Sequence, residues 1–134
     1  MAPEGQQIAR LFDALSGSTN AAGGWGYQPG KASRLEPTSW SLLAIGQSSV
    51  KADTTLHRAF LEKCVRSGGY LVEDPKWPAN TAFNSLVAFT WLHHRELAAD
   101  EKIRALLNWL IAAKGVPAPQ ISIYRQDNSL QGWS

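Results

Sequence analysis

The stretch GGWGYQPGKASRLEPTSW, residues 23–40, places two glycines and two large aromatic residues just before the start of an apolar run. Pro37 suits a first helical position, because its missing N–H would have no helical partner there in any case. The glycines allow a tight turn, and we expect Trp25 and Tyr27 to fold back onto neighbouring helices as structural staples. The stretch therefore predicts a loop-to-helix unit.

Hydrophobic periodicity along the rest of the chain predicts a helical protein. Five helices are expected, at about 4–16, 37–47, 54–66, 79–96 and 100–114. The first helix carries apolar residues at helical spacing, namely Ile8, Leu11, Phe12 and Leu15. Asp53 or Thr54 is expected to cap the third helix and Asp100 the fifth, with Gly115 and Pro117 ending the fifth. The segment QISIY at 120–124 is the one candidate strand.

The predicted helices fall into two kinds. The third and fifth each have one apolar face, formed by Leu56, Phe60, Leu61, Cys64 and Val65 in the third and by Ile103, Leu106, Leu107, Leu110 and Ile111 in the fifth. His57 is assigned to the polar side of the third helix. The second and fourth helices are apolar nearly all round, which predicts that they are buried on most sides and lie side by side.

An internal repeat connects these helices. RAFLEKCVRSGG at 58–69 matches RALLNWLIAAKG at 104–115 with an offset of 46 residues, and TSWSLLAI at 38–45 matches TAFNSLVA at 81–88 with an offset of 43. We therefore expect a single domain, 1–134, of about two and a half repeats with repeat loops at 23–37, 68–80 and 127–134. The repeat motif consists of Gly23, Gly24, Trp25, Tyr27, Thr38, Trp40, Gly68, Gly69, Tyr70, Thr81, Gly132 and Trp133.

The unit GGWGYQPG…EPTSWSLLAIG resembles the repeat of the squalene-hopene cyclase and protein prenyltransferase β-subunit superfamily, also called terpenoid cyclase-like. The looser copy GGYLVEDPKWPANTAFNSLVAF extends the resemblance over roughly residues 20–134. The resemblance implies an all-α fold, a partial α/α toroid of helical hairpins, with buried inner helices and amphipathic outer ones. It also implies a parent protein that acts on or binds an isoprenoid or lipid.

The catalytic groups of that superfamily are not found in this chain. The cyclases protonate an alkene with an Asp-x-Asp-Asp-Thr motif. Among the four residues before Thr38 and the four before Thr81, the one acid is Glu36, a weak catalytic candidate better explained by its place near a helix N-terminus. The zinc of the prenyltransferases has no evident ligand set. Cys64 lies on an apolar face, and the adjacent His93 and His94 diverge on a helix. We expect neither a metal nor another cofactor.

Two functions remain open at this point. The chain is either the N-terminal part of a cyclase-like or prenyltransferase-like enzyme, inactive by itself, or a non-catalytic helical module that binds a lipid, peptide or protein partner. In either case the last inner helix presents an open face, with Phe89, Trp91 and the Gly132-Trp133 loop. We expect that face to be covered in a two-fold homodimer or by the remainder of the toroid.

Composition limits the partners and the location. The 134 residues carry a net charge of only +2 and no basic block, which gives no support to nucleic-acid binding. No stretch approaches the roughly 20 apolar residues that span a bilayer, and the N-terminus lacks a signal-peptide core. We expect no transmembrane segment and a cytoplasmic location, at most peripheral at a membrane.

Overall fold

The computed structural model describes residues 3–48 and 51–115, and these residues are helical with no β-strand. The elements are α1 (Pro3–Gly17), α2 (Leu35–Gln47), α3 (Thr55–Cys64), α4 (Thr81–His93), a 3-10 turn (Arg95–Leu97) and α5 (Asp100–Ala112). All five predicted helices are present, so the all-α class is confirmed. The candidate strand at 120–124, Pro117, and the third repeat loop with Gly132 and Trp133 lie outside the described residues.

The starts of α2 and α4 and the expected cap of α5 differ from the predictions. α4 begins at Thr81 rather than at about 79, and the other two differences each involve a side chain from outside the local pattern. α2 begins at Leu35 rather than Pro37, because the Leu35 N–H donates to Glu73 Oε1 at 2.9 Å. Pro37 is then the third helical residue and still falls among the N–H groups without a helical partner. Asp100 is the first residue of α5, not its cap. Its carboxylate pairs with Arg95 instead.

The predicted inner helices, α2 and α4, pack side by side and run in the same direction. At their first turns Leu35 and Phe83 line the same small cavity. At their last turns the His94 ring lies so close to Gly46 that a Cβ atom on Gly46 would overlap it. Most of the residues that are fully buried in the described chain belong to this pair or to the loops before it. The expected side-by-side arrangement is confirmed.

The outer helices α3 and α5 are less buried than the inner pair, as expected. Lys102 Nζ of α5 donates to Glu62 Oε1 of α3 at 3.1 Å, which links their exposed sides. Three assignments are corrected. His57 is buried rather than on the polar side, whereas Leu56 and Ile111 are exposed because each lies just past the edge of its helix's buried stripe.

The hydrophobic core lies between the two layers of helices. Its buried members are Trp25, Leu35, Leu42, Ile45, Leu61, Cys64, Leu71, Val87, Ala88, Trp91, Leu97, Ala98, Ile103, Leu106 and Leu110. Trp91 is fully buried, so its expected place on the open face of α4 is wrong, while Phe89 is 51% exposed as expected. In α1, Phe12 and Leu15 pack on the core, whereas Ile8 and Leu11 are exposed.

One repeat distance of 46 residues describes both the inner helices and the loops before them. α4 begins and ends 46 residues after α2 (81 − 35 and 93 − 47). The offset of 43 that the sequence match gave for the inner helices is therefore wrong. Thr81 takes the place of Leu35, and the residue at the place of Thr38 is Asn84.

Side-chain hydrogen bonds support this register. Thr38 Oγ1 accepts from Trp25 N at 2.9 Å and donates to Trp25 O at 3.3 Å. In the next repeat, Asn84 accepts from Leu71 N at 2.7 Å and donates to Leu71 O at 2.9 Å. The residue equivalent to Trp25 is thus Leu71, and not Tyr70 as the sequence match implied.

Each repeat loop packs on the outer helix of the following repeat. Gly23 (φ +92°) lies against the Leu56 carbonyl of α3, and Gly69 (φ +88°) lies against Ala105 of α5. A glycine is required at both places, because φ is positive and a Cβ atom would meet backbone or side-chain atoms. Each loop therefore joins two consecutive repeats.

Candidate functional site

The aromatic residue of the first loop, Trp25, is a structural clamp. Its indole is 3% exposed and stacks on His57 of α3, with ring centroids 4.2 Å apart. Its Nε1 donates to the Leu15 carbonyl of α1 at 2.8 Å, and the neighbouring Gly24 N donates to His57 Nδ1 at 2.8 Å. Trp25 therefore connects α1 and α3 and is not available to a ligand. The expected staple is confirmed.

The second loop has a weaker aromatic clamp. Tyr70 is half-buried and lies 5.2 Å from the Trp109 ring of α5, measured between ring centroids. Gly68 lies within the sharp turn that Gly69 N closes by donating to the Arg66 carbonyl at 2.9 Å. Thr81, the first residue of α4, is buried. The contact between Tyr70 and Trp109 joins the second loop to α5.

Tyr27 differs from the other loop aromatics because it is 57% exposed. Its hydroxyl donates to Glu36 Oε2 of α2 at 2.5 Å, and this bond to a carboxylate raises the pKa of Tyr27 above its usual value. Glu36 thus acts as a hydrogen-bond acceptor, whereas an acid that protonates an alkene must hold its own proton for transfer. The prediction that Tyr27 packs onto helices is wrong, and Glu36 has a positioning role in this geometry.

Arg34 is the residue just before the first turn of α2, and it contacts several of the surrounding side chains. Its Nε donates to Glu73 Oε1 at 2.9 Å, and the same oxygen accepts the Leu35 N–H. The guanidinium carbon lies 4.6 Å from the centre of the Trp77 ring and 5.8 Å from that of Tyr27. Cation–π attraction adds to the ion pair, so two aromatic rings and a carboxylate fix the arginine side chain.

Trp77 lies in a short turn that its own N–H closes by donating to the Asp74 carbonyl at 2.9 Å. The side chain is 45% exposed and forms a wall between two adjoining grooves. One groove, of about 220 Å³, extends to Phe83 of α4, and the other, of about 500 Å³, extends to Phe60 of α3. Arg34, Glu73 and Trp77 line both.

Trp40 extends the exposed aromatic region along α2. It lies one turn after Glu36 on the same side of the helix, and its side chain is 58% exposed. We call Tyr27, Trp40 and Trp77 the aromatic surface. The places on α4 that correspond to Glu36 and Trp40, 46 residues later, are occupied by Ala82 and the half-buried Leu86. The aromatic surface thus continues onto apolar residues of the next inner helix.

Of the aromatic surface, the sequence singled out Trp40 and Tyr27 as repeat-motif residues but did not identify Arg34, Glu73 or Trp77 as site residues. The available signal was a tryptophan within the polar segment EDPKWP at 73–78, where no core position is expected. The ion pair between Arg34 and Glu73 joins two loops 39 residues apart in the chain. Local sequence patterns give no indication of such a pairing.

The residues weighed as metal ligands do not come together. Within residues 3–48 and 51–115, no three His, Cys, Asp or Glu side chains form a metal site. His93 is exposed with Nδ1 3.0 Å from its own helix's Phe89 carbonyl, while the His94 ring packs on Gly46. Cys64 is a buried free thiol, and burial raises its pKa to about 12, which makes it a poor nucleophile or ligand.

None of the described helices combines the length and the apolar character that a membrane span needs. Compared with family models, with curated proteins and with solved structures, the chain matches none. What the chain does has therefore to be argued from its own residues and geometry.

Proposed function

We propose that this chain is a segment of an α/α toroid related to the squalene-hopene cyclases and prenyltransferase β-subunits, and that it binds an isoprenoid or lipid without transforming it. The alternation of inner and outer helices and the 46-residue repeat support the toroid part of the proposal. Repeats of this kind stack side by side because none can bury its apolar face alone. The likeness is one of sequence motif and helix arrangement.

The aromatic surface is the observation that supports the binding of an apolar ligand. Tyr27, Trp40 and Trp77 are each about half exposed although they are among the largest apolar side chains. Two polar side chains lie between them. Arg34 stacks on the Trp77 ring, and Glu36 accepts a hydrogen bond from the Tyr27 hydroxyl. Rigid aromatic walls with a few fixed polar groups are typical of sites for apolar small molecules.

The proposed role is binding alone, because the chemistry of the described residues lacks an acid held for proton transfer. Glu36 is occupied by the Tyr27 hydroxyl. Glu73 is occupied by Arg34 and by the Leu35 N–H. Both carboxylates therefore serve to fix the loops that carry the aromatic surface, and any reaction of the parent protein would use other residues.

A binding titration tests this function. Farnesol, as the isoprenoid probe, and palmitate, as the fatty-acid probe, are titrated calorimetrically into the wild type and into the Trp40→Ser and Trp77→Ser variants. Each substitution removes an aromatic contact of roughly 1.5 kcal/mol or more, so at least about a tenfold loss of affinity is expected. Ile111→Ser, at an apolar position on α5 that is more exposed than either tryptophan, is the control and should bind as the wild type does.

Two results would contradict the proposal. One is the absence of binding of both probes to the folded wild type. The other is equal binding by Trp40→Ser, Trp77→Ser and Ile111→Ser, because the ligand would then not use the aromatic surface. Melting curves of each variant establish that a loss of binding is not a loss of folding.

A further inference from the structure

α4 has an open side that α2 does not have. Phe89 and Leu92 are 51% and 44% exposed on this side. The equivalent places in α2, 46 residues earlier, are Leu43 and Gly46. Leu43 is buried, and Gly46, although exposed, lies against the His94 ring at the end of α4. The side of α2 that meets the end of α4 at Gly46 therefore corresponds to the side of α4 that carries the exposed Phe89 and Leu92. We call Phe89 and Leu92 the trailing edge.

α2 has an open side of the opposite kind. On α4, the side that faces α2 carries Phe83, which lines a cavity shared with Leu35, and Thr90, which is fully buried. The equivalent places in α2 are Pro37 and Ala44. Ala44 is exposed and Pro37 is half-buried. We call Pro37 and Ala44 the leading edge. The leading edge corresponds to Phe83 and Thr90 of the next repeat, which lie on the side of α4 that packs on α2.

We propose that copies of this chain associate head to tail, with the trailing edge of one copy on the leading edge of the next. The contact would continue the α2–α4 packing across the boundary between copies, with the same parallel direction of the inner helices. Such a contact is heterologous, since the two edges are different surfaces. The inference does not depend on the ligand proposed above.

The chemistry of the two edges favours this pairing. Neither edge contains a charged side chain, so contact buries no unpaired charge. The exposed Phe89 and Leu92 would gain the burial that Leu43 already has within the chain. The contact would bring the large Phe89 onto the side of α2 that carries the small Ala44, which allows two helices to approach closely. A two-fold contact would instead place Phe89 against Phe89 and leave the leading edge uncovered.

Sedimentation velocity on the 134-residue chain, over a wide range of concentrations, tests the proposal. The wild type should associate as its concentration rises. Phe89→Asp and Ala44→Asp, each at an exposed position, should weaken association at least about tenfold, which corresponds to about 1.4 kcal/mol. Leu56→Asp, at an exposed apolar position on α3 outside both edges, is the control and should associate as the wild type does.

Mixing the two edge variants separates head-to-tail from two-fold association. The Phe89→Asp variant keeps an intact leading edge, and the Ala44→Asp variant keeps an intact trailing edge. An equimolar mixture should therefore form a dimer that neither variant forms alone. The proposal is overturned by a wild type that stays monomeric, by an Ala44→Asp variant that associates normally, or by a mixture that stays monomeric.

Discussion

Thr38 and Asn84 occupy the same structural position 46 residues apart, although one is a hydroxyl and the other a carboxamide. Each bonds both the N–H and the C=O of one loop residue, Trp25 in the first repeat and Leu71 in the second. All four backbone groups belong to buried residues, where an unmade hydrogen bond is costly. The inner helix thus fixes the loop that precedes it through a single side chain.

Removing this side chain should destabilise the protein. Thr38→Val keeps the shape but leaves the Trp25 N–H without its partner. It also removes one of the two hydrogen bonds to the Trp25 C=O, which still accepts from Arg34 N at 2.9 Å, so the free energy of unfolding should fall by about 1–3 kcal/mol. Asn84→Leu should cost at least as much. Thr38→Ser retains the hydroxyl and should lose clearly less than Thr38→Val. Urea unfolding of the three variants measures the differences, and equal losses for Thr38→Val and Thr38→Ser would show that the methyl group matters more than the bonds.

Trp25→Ala should be among the most damaging single substitutions. The side chain is 3% exposed and touches both α1 and α3, so the free energy of unfolding should fall by about 3–5 kcal/mol. Trp40→Ala, at an exposed tryptophan in the same segment, should change it by less than about 1 kcal/mol. Thermal unfolding followed by circular dichroism compares the two. A Trp25→Ala protein as stable as Trp40→Ala would contradict the clamp.

Two glycines with positive φ provide a matched pair. Gly30 (φ +77°) has open space around its Cα, so Gly30→Ala should cost only the backbone strain, about 1–2 kcal/mol. Gly23 (φ +92°) has a similar φ but faces the Leu56 carbonyl. Gly23→Ala should therefore lose at least about twice as much stability. Chemical denaturation of both variants tests whether close packing on α3, beyond the turn itself, requires the glycine.

His57 should make stability depend on pH in the weakly acidic range. Burial lowers the pKa of His57 below its ordinary value of 6.5, with a smaller opposing effect from Asp53. The unfolded state then binds the proton more readily, so the free energy of unfolding should fall as the pH drops below about 6.5 toward the folded-state pKa. The contribution of neutral His57 is fully present above that range.

The variant His57→Asn tests this assignment. Asparagine keeps an acceptor for Gly24 N but does not titrate, so the variant should be less stable at pH 7 and should show a flatter decline between pH 7 and pH 5 than the wild type. His93→Gln, at an exposed histidine, serves as the control and should keep the wild-type slope. If His57→Asn keeps the full slope, another group is responsible for it.

Periodicity was enough to predict the five helices and the burial of α2 and α4, because those features depend on local apolar spacing. The start of α2 could not be predicted in the same way. Glu73, which accepts the Leu35 N–H, lies 38 residues downstream. The predicted repeat register was wrong for a related reason. The sequence match aligned Thr38 with Thr81 because both are threonines, whereas in the structure Asn84 makes the hydrogen bonds equivalent to those of Thr38.

The candidate site shows the same limit. Tyr27 and Trp25 follow the same glycine pair, but only Trp25 reaches the groove between α1 and α3. Tyr27, two residues on, is directed by Glu36 to the surface. A pattern of aromatics after glycines cannot distinguish the two positions, because burial depends on which helix lies behind each ring. The grouping of Arg34, Glu73 and Trp77 likewise depends on two loops that meet only in the fold.

The packing of each loop on the following outer helix has a consequence for the order of assembly. Gly24 bonds His57, 33 residues further along the chain, so the first loop cannot reach its final shape during synthesis until α3 has emerged. Contacts of this length slow folding relative to purely local ones. These contacts also mean that the unit that folds cooperatively is larger than one repeat, because each loop depends on a helix of the next repeat. A chain cut between α4 and α5 would deprive the Gly69 loop of its surface, and the damage would appear one repeat before the cut.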